Sequence, residues 1–222
     1  MATRKTIAIV GATGNMGSAI AKSLSGTSRH RLLLMASDQD KLNELKQHLE
    51  SAGSSTEVDT LTCVKDASWE ADIIIIAAPY EAERNIAEKI REVATGKIVI
   101  SISNPLNKSF SEMVTHPTTS AAEELQRMLP DSSVVKTFNT TFAADFETPV
   151  IDGKKVDAFI AGNNGSAVDA VAEIVATVGF NPVVVGDLSV SRTLERMQLM
   201  MIQLNLRNNY NWLAGWKILH KQ

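Results

Sequence analysis

The chain is poor in cysteine. Cys63 is alone among 222 residues, so no internal disulfide can form, and the count fits a reducing compartment. Cys63 itself reads as a small buried hydrophobe on a strand rather than a nucleophile. Charge of one sign is also missing: 22 basic against 25 acidic residues leave a net charge of −3, which gives no reason to expect a nucleic acid or an anionic membrane as partner. The longest pure apolar run, Ile73 to Pro79, is far too short to span a bilayer. The four histidines, His30, His48, His116 and His220, are scattered, none at metal-ligand spacing from a cysteine or carboxylate, so no metal is expected. No G-x-S-x-G nucleophile turn occurs. The start, Met-Ala-Thr-Arg-Lys, runs at once into an apolar strand, so no signal peptide is expected. These absences point to a soluble, cytoplasmic protein with no membrane and no nucleic-acid partner. Its 44% hydrophobic content suffices for one large domain, or a domain with a small extension.

What is present is concentrated near the amino terminus. The run Ile7-Ala8-Ile9-Val10 ends in Gly11-Ala12-Thr13-Gly14-Asn15-Met16-Gly17 and passes directly into a helical pattern. Strand, glycine turn and helix in that order make a dinucleotide phosphate loop: Gly14 lets backbone approach a pyrophosphate, and Gly17 lets the helix pack closely on the strand. The first N–H groups of the helix then face the anion. The spacing is irregular, since Ala12 stands where the usual G-x-G-x-x-G has its first glycine and Gly11 comes one residue early. Context supports the reading. A second apolar strand, 31–36, follows, and Asp38 lies 21 residues beyond Gly17, where an acidic residue commonly meets a ribose hydroxyl.

Further along, short apolar runs alternate with helical patterns. Strands are expected at 5–10, 31–36, 58–63, 72–77, 97–102, 134–138, 156–160 and 182–185. Helices are expected at 38–51, with Leu42, Leu45 and Leu49 on one face, at 81–94, at 117–129 with Pro117 in the first turn, and at 167–178; the final 34 residues are expected to be mainly helical. The pattern predicts an α/β, Rossmann-type doubly wound, mainly parallel sheet with a C-terminal α/β extension ending in helices. The turn-rich stretch 147–155 is the candidate seam between a dinucleotide-binding core, 1–146, and the extension, 147–222, unless both form one continuous domain.

Ligands of such sheets bind beyond the carboxyl ends of the strands. Those ends are the glycine loop, Ser37-Asp38, Ala77-Ala78-Pro79-Tyr80, Ser101-Ile102-Ser103-Asn104-Pro105 and Phe138-Asn139-Thr140-Thr141. Small residues let a ring approach backbone, and Asn and Thr side chains can bond a nicotinamide carboxamide, although the same residue types also favour plain turns.

Four segments, taken together, resemble the NADP oxidoreductases that use the deazaflavin coenzyme F420, and the reductase domain of the STEAP metalloreductases is similar. The segments are the phosphate loop Gly11–Gly17, the stretch Ser101-Ile102-Ser103-Asn104-Pro105, the proline-led strand Pro130 to Asn139 ending in Lys136-Thr137-Phe138-Asn139, and Val184 to Ser189 with Arg192 and Glu195. The resemblance implies hydride transfer between a nicotinamide and a flavin or deazaflavin. It implies that Thr13 to Met16 hold the pyrophosphate and that Ser37 meets the adenosine phosphate. There the chain departs from the pattern, because the family commonly carries Arg after that serine and this chain has Asp38. The resemblance thus implies NADP, the acid beside Ser37 favours the free ribose of NAD, and Lys41 one turn on softens the conflict.

No general base is evident. Tyr80 leads to Arg84 and Tyr210 to Ala214, so the Tyr-Lys relay of short-chain dehydrogenases is missing. Alcohol oxidation needs such a base; hydride transfer between two stacked rings is a matter of positioning. The expected function is therefore an NAD(P)-dependent oxidoreductase passing hydride to a flavin, F420 or a similar small-molecule electron acceptor. The alternatives are a dinucleotide-binding redox sensor or partner-binding protein without turnover, and, on the loop alone, an atypical short-chain reductase. The candidate cofactor-binding residues are Gly11, Thr13, Gly14, Asn15, Met16, Gly17, Ser37, Asp38, Ala78, Pro79, Ser103, Asn104, Pro105, Phe138 and Asn139, and no catalytic side chain is assigned. Val190, Leu194, Met197, Met201 and Leu204 repeat at helical spacing, and Trp212 and Trp216 follow at i, i+4. That seam is a core stripe, a homodimer face or an apolar wall for an isoalloxazine ring.

Overall fold

The computed structural model describes residues 4–53 and 55–221. Met1 to Thr3, part of the start that argued against a signal peptide, lie outside the described residues. Strands β1 (Thr6–Val10), β2 (Arg31–Met35), β3 (Val58–Leu61), β4 (Ile73–Ile76), β5 (Ile98–Ser101) and β6 (Ser133–Lys136) are parallel and lie in the order β3-β2-β1-β4-β5-β6. Two further strands, β9 (Asp157–Gly162) and β10 (Asn181–Gly186), extend the same sheet beyond β6, with β9 antiparallel to β6 and β10 parallel to β9. The expected doubly wound, mainly parallel sheet is what the chain forms. The seam segment folds into a small hairpin of β7 (Val150–Ile151) and β8 (Lys154–Lys155). Pro182 sits on the edge strand β10, where a missing N–H is tolerated.

Each face of the sheet carries its own core. Helices α1 (Asn15–Ser25), α2 (Gln39–Ser51) and α6 (Gly165–Thr177) cover Ile7, Ile9, Leu32 and Leu34. Helices α3 (Val64–Glu70), α4 (Tyr80–Ile90) and α5 (Ala121–Met128) cover Ala8, Val10, Leu33, Ile74 and Ile76. The four isoleucines of β4 point alternately into the two cores and are all buried, and each such side chain contributes about 2 kcal/mol of burial. That two-sided burial is why the central strands read as unbroken apolar runs. Leu42, Leu45 and Leu49 of α2 are buried as their spacing predicts.

Several local expectations are corrected. The third strand stops at Leu61, and Cys63 is an exposed residue at the cap of α3, a helix the sequence did not announce. The helix expected from Pro117 starts at Ala121, because the Ser120 hydroxyl accepts the Glu123 N–H and caps it there. The terminal helix α7 spans Ser191–Asn208 and ends on Asn209 in the left-handed conformation (φ 55°). Residues 209–221 form no helix, so Trp212 and Trp216 are not a helical pair. The tail instead crosses to β9. The Trp216 carbonyl accepts the Asp157 N–H, and Asp157 in turn accepts from Lys217 Nζ and the Ile218 N–H. The stripe on α7 is also rotated from the expected one: Leu204 is exposed, and Glu195, Gln198 and Asn205 share the buried face with Leu194 and Met201.

Candidate functional site

Strand order reverses between β1 and β4, and the carboxyl ends of those two strands open the crevice in which such sheets bind ligands. The glycine loop lies there. Gly11 has φ +87°, and a Cβ on it would stand 2.5 Å from the Ala77 carbonyl oxygen, so close contact between the two strand ends requires glycine. A Cβ on Gly17 would run into the Gly11 carbonyl oxygen. Gly14 is different: its nearest neighbour would be 3.4 Å away, and its φ of −71° is open to any residue. Protein packing and backbone conformation therefore do not by themselves require glycine at position 14.

The N–H groups of Thr13, Asn15, Met16 and Gly17 find no acceptor among the described residues, and α1 has neither a side-chain cap nor an acidic residue in its first turn. Unsatisfied donors and a bare positive helix end form a cradle for a phosphate dianion. A dinucleotide's pyrophosphate fits this donor set.

At the end of β2, exposed Ser37 precedes Asp38, which is the N-cap of α2. Asp38 Oδ1 accepts the Lys41 N–H at 3.1 Å and Oδ2 lies 3.2 Å from Lys41 Nζ. These bonds hold the carboxyl below the usual carboxylate range, with the Lys41 backbone N–H the largest cause. Both oxygens are thus engaged locally, a competing role that the sequence position did not reveal.

Ala78 and Pro79 flank the glycine loop on the other side, Ala78 half-buried and Pro79 exposed. Beyond them the ends of β5 and β6 are tied together. Asn104 Nδ2 donates to the Asn139 carbonyl oxygen at 2.8 Å, and Asn139 Nδ2 donates to Asn104 Oδ1 at 3.0 Å. The turn that allows this puts Phe138 at φ 58°, a strained value for a bulky residue, and full burial of its ring against Phe146 and Phe180 holds it. Of the candidate residues, Thr13 to Met16, Ser37, Asp38, Ala78, Pro79 and Asn104 reach the crevice surface. Ser103, Pro105, Phe138 and Asn139 are buried behind it, and Gly11 and Gly17 serve its packing. Ser103 Oγ, Asn139 Oδ1 and Thr140 Oγ1 are buried without partners, so polar capacity remains at the strand ends.

Sequence reasoning missed what lies beneath. Lys136, fully buried, donates to Glu195 Oε1 at 2.8 Å and to the Ser103 carbonyl oxygen at 2.5 Å, with Ser101 Oγ at 3.5 Å. Glu195 Oε2 accepts the N–H of Ala121 at the start of α5. Arg192 forks onto both carboxyl oxygens of Glu123. The terminal helix is thereby locked to the floor of the crevice. Glu83, on the first turn of α4, is buried beside this pair, and its two oxygens have no hydrogen-bond partner. The charged residue types in otherwise apolar strand and helix patterns were the available signal. Among the described residues no cluster of metal-ligating side chains occurs, and no helix is long and apolar enough to cross a membrane. An open cleft of about 1250 Å³ lies at the amino ends of the strands, lined by Lys5, Arg29 and His30 among others. It is the wrong end for ligand binding in such a sheet.

Known proteins resemble this chain in sequence and fold. Residues 6–105 match the family described as NADP oxidoreductase, coenzyme F420-dependent. An F420-dependent NADP reductase of Methanocaldococcus jannaschii is 29% identical over 213 residues, covering 90% of this chain and 92% of that protein. Human metalloreductase STEAP2 is 30% identical over 141 residues, 63% of this chain but 27% of that protein. The crystal structure of a putative F420-dependent NADP reductase from Arthrobacter superposes with a TM-score of 0.81 at 23% identity, covering 96% of this chain and 99% of that one, which establishes a common fold. Residues 6–105 thus match the coenzyme F420-dependent NADP oxidoreductase family, and the chain is similar over nine-tenths of its length to an F420-dependent NADP reductase.

Proposed function

We propose that the protein is an NADPH-dependent oxidoreductase that passes hydride between the nicotinamide and a deazaflavin of the F420 type. The carrying observation is the open phosphate cradle at the strand-order reversal, formed by the free N–H groups of Thr13, Asn15, Met16 and Gly17. These donors hold the pyrophosphate. Ser37 takes the 2′-phosphate, with Lys41 shared between the phosphate and Asp38, whose carboxylate also accepts the Lys41 N–H at the α2 cap. Ala78, Pro79 and Asn104 wall the nicotinamide, with Ser103, Pro105, Phe138 and Asn139 fixing their positions from behind. When bound, the nucleotide supplies the hydride. The chain's own residues bind, orient and exclude water, which is what transfer between two stacked rings requires. The relationship over nearly the full length to named F420-dependent NADP reductases supports NADP over NAD and the enzyme over a silent sensor.

Anaerobic oxidation of NADPH and NADH, each against riboflavin, FMN, FAD, F420 and ferric chelate, tests this. NADPH with F420 is expected to turn over fastest. Tight nucleotide binding without turnover against any acceptor would favour the sensor reading. A homodimer remains part of the proposal, because Met200, Leu204 and Leu206 leave α7 with an exposed apolar flank; a monomeric mass at micromolar concentration would remove it.

A further inference from the structure

Glu83 has no task in the site so far. It is 1% exposed, on the helix that begins at Tyr80, and faces the inner side of the Ser103–Asn104 segment. The groups around it come from four elements: Lys136 from β6, Glu195 from α7, Glu124 from α5 and the Ser103 hydroxyl from the end of β5. Tyr80, on its own helix, donates its hydroxyl to Glu124 at 2.6 Å. Lys136 is the one cation of this set, and Glu195 already neutralises it at 2.8 Å. An ionised Glu83 would be the third carboxylate of a set with one cation, with neither Glu83 oxygen satisfied by a hydrogen bond. Glu83 therefore holds its proton to a higher pH than an exposed carboxyl does. Burial pushes its carboxyl up to about 7, while Lys136 and Ser103 pull the other way.

We propose that Glu83 is a redox-linked proton site, which keeps its proton while the nicotinamide is reduced and releases it when the ring becomes cationic. This rests on the nicotinamide lying at the ends of β4 and β5, as the functional reading places it. The chemistry balances. One hydride leaves the reduced nucleotide, and the acceptor needs that hydride plus one proton to reach its neutral reduced form. Glu83 gives up one proton to solvent water as its O–H bond breaks, the acceptor takes its own proton from solvent, and the Glu83 carboxylate then offsets the new positive ring. Solvent returns the proton when the oxidised nucleotide departs. Glu83 is a positioning residue of charge, acting on the ring through space.

The test needs no acceptor. Calorimetric titration of the whole protein with NADP+ and with NADPH, near pH 7 in buffers of different ionisation enthalpy, counts protons exchanged on binding. The 2′-phosphate contributes equally to both nucleotides and cancels in the difference. The wild-type protein is expected to release more protons with NADP+ than with NADPH. Its preference for NADP+ over NADPH is expected to rise about tenfold from pH 6 to pH 8. Glu83→Gln should bind NADPH unchanged, lose the extra proton and show a flat preference. Equal proton counts for the two nucleotides in the wild type would overturn the proposal and leave the nucleotide site standing, even if the variant failed to fold. An undiminished difference in Glu83→Gln would also overturn it. Failure of both nucleotides to bind would sink the functional reading, and this inference with it.

Discussion

Asn104 and Asn139, 35 residues apart, exchange hydrogen bonds across the ends of two neighbouring strands, at 2.8 and 3.0 Å. Each amide nitrogen donates to the other residue while Asn139 Oδ1 stays unpaired, so the pair shapes the frame of the crevice and leaves one buried acceptor. Asn104→Ala and Asn139→Ala should each lower stability by about 1 kcal/mol, and the double variant should cost less than their sum. Denaturant melts of the four proteins check this. The nucleotide dissociation constant should rise severalfold in every variant, because the strand ends lose their tie.

The three glycines of the loop should separate fold from binding. Gly14→Val should fold normally and lose nucleotide affinity by at least tenfold, since its Cβ would meet no protein atom closer than 3.4 Å and the added bulk would occupy the phosphate space. Gly17→Ala should instead lower the melting temperature, because its Cβ meets the Gly11 carbonyl oxygen. Normal affinity in Gly14→Val would sink the loop assignment.

Lys136 and Glu195 form a pair with no exposed side-chain surface. Lys136→Met should cost about 3–5 kcal/mol by stranding a buried carboxylate, and adding Glu195→Leu should recover part of it. Thermal melts of both variants measure the difference. A lone Lys136→Met as stable as the wild type would mean the pair does not hold the terminal helix.

Two buried carboxyls, Glu83 and Asp145, are both pushed up to about 7, in each case chiefly by burial. Between their unfolded values, near 4, and about 7 the folded chain binds more protons than the unfolded chain. Stability from these groups is therefore full at low pH and falls as pH rises through about 7, at about 1.4 kcal/mol per pH unit for each group while the unfolded form is ionised and the folded form is not. Melting temperature should decline from pH 5 to pH 8, and Glu83→Gln with Asp145→Asn should flatten the decline. Rising stability over that range in the wild type would show that other groups control it.

How far the molecule could be foreseen depended on where each signal lay along the chain. Central strands such as Ile73–Ile76 announced themselves because burial on both faces leaves no polar position in them. The glycine loop was legible because its local sequence and its local geometry are the same thing. Helix α3 was not, since its seven residues include the exposed Trp69 and the buried Ser68, the reverse of the usual partition. The tail misled because Trp212 and Trp216 are spaced as on a helix while Asn209 and Asn211, both at positive φ, turn the backbone out of it. Asp38 carried two meanings, ribose ligand and helix cap, that only its hydrogen bonds distinguish. The Lys136–Glu195 pair joins residues 59 apart, and no pattern of local spacing encodes such a meeting.

The central claim is direct hydride transfer from a nicotinamide nucleotide whose pyrophosphate rests on the glycine loop. Its most direct test is an anaerobic single turnover of NADPH carrying deuterium at C4 with oxidised F420, followed by mass analysis of the reduced deazaflavin. The account predicts that one stereochemical form of the labelled nucleotide delivers its deuterium to the product without exchange, and that Gly14→Val abolishes the transfer. Reduced product carrying only solvent hydrogen, or no product from a nucleotide-saturated protein, would contradict it.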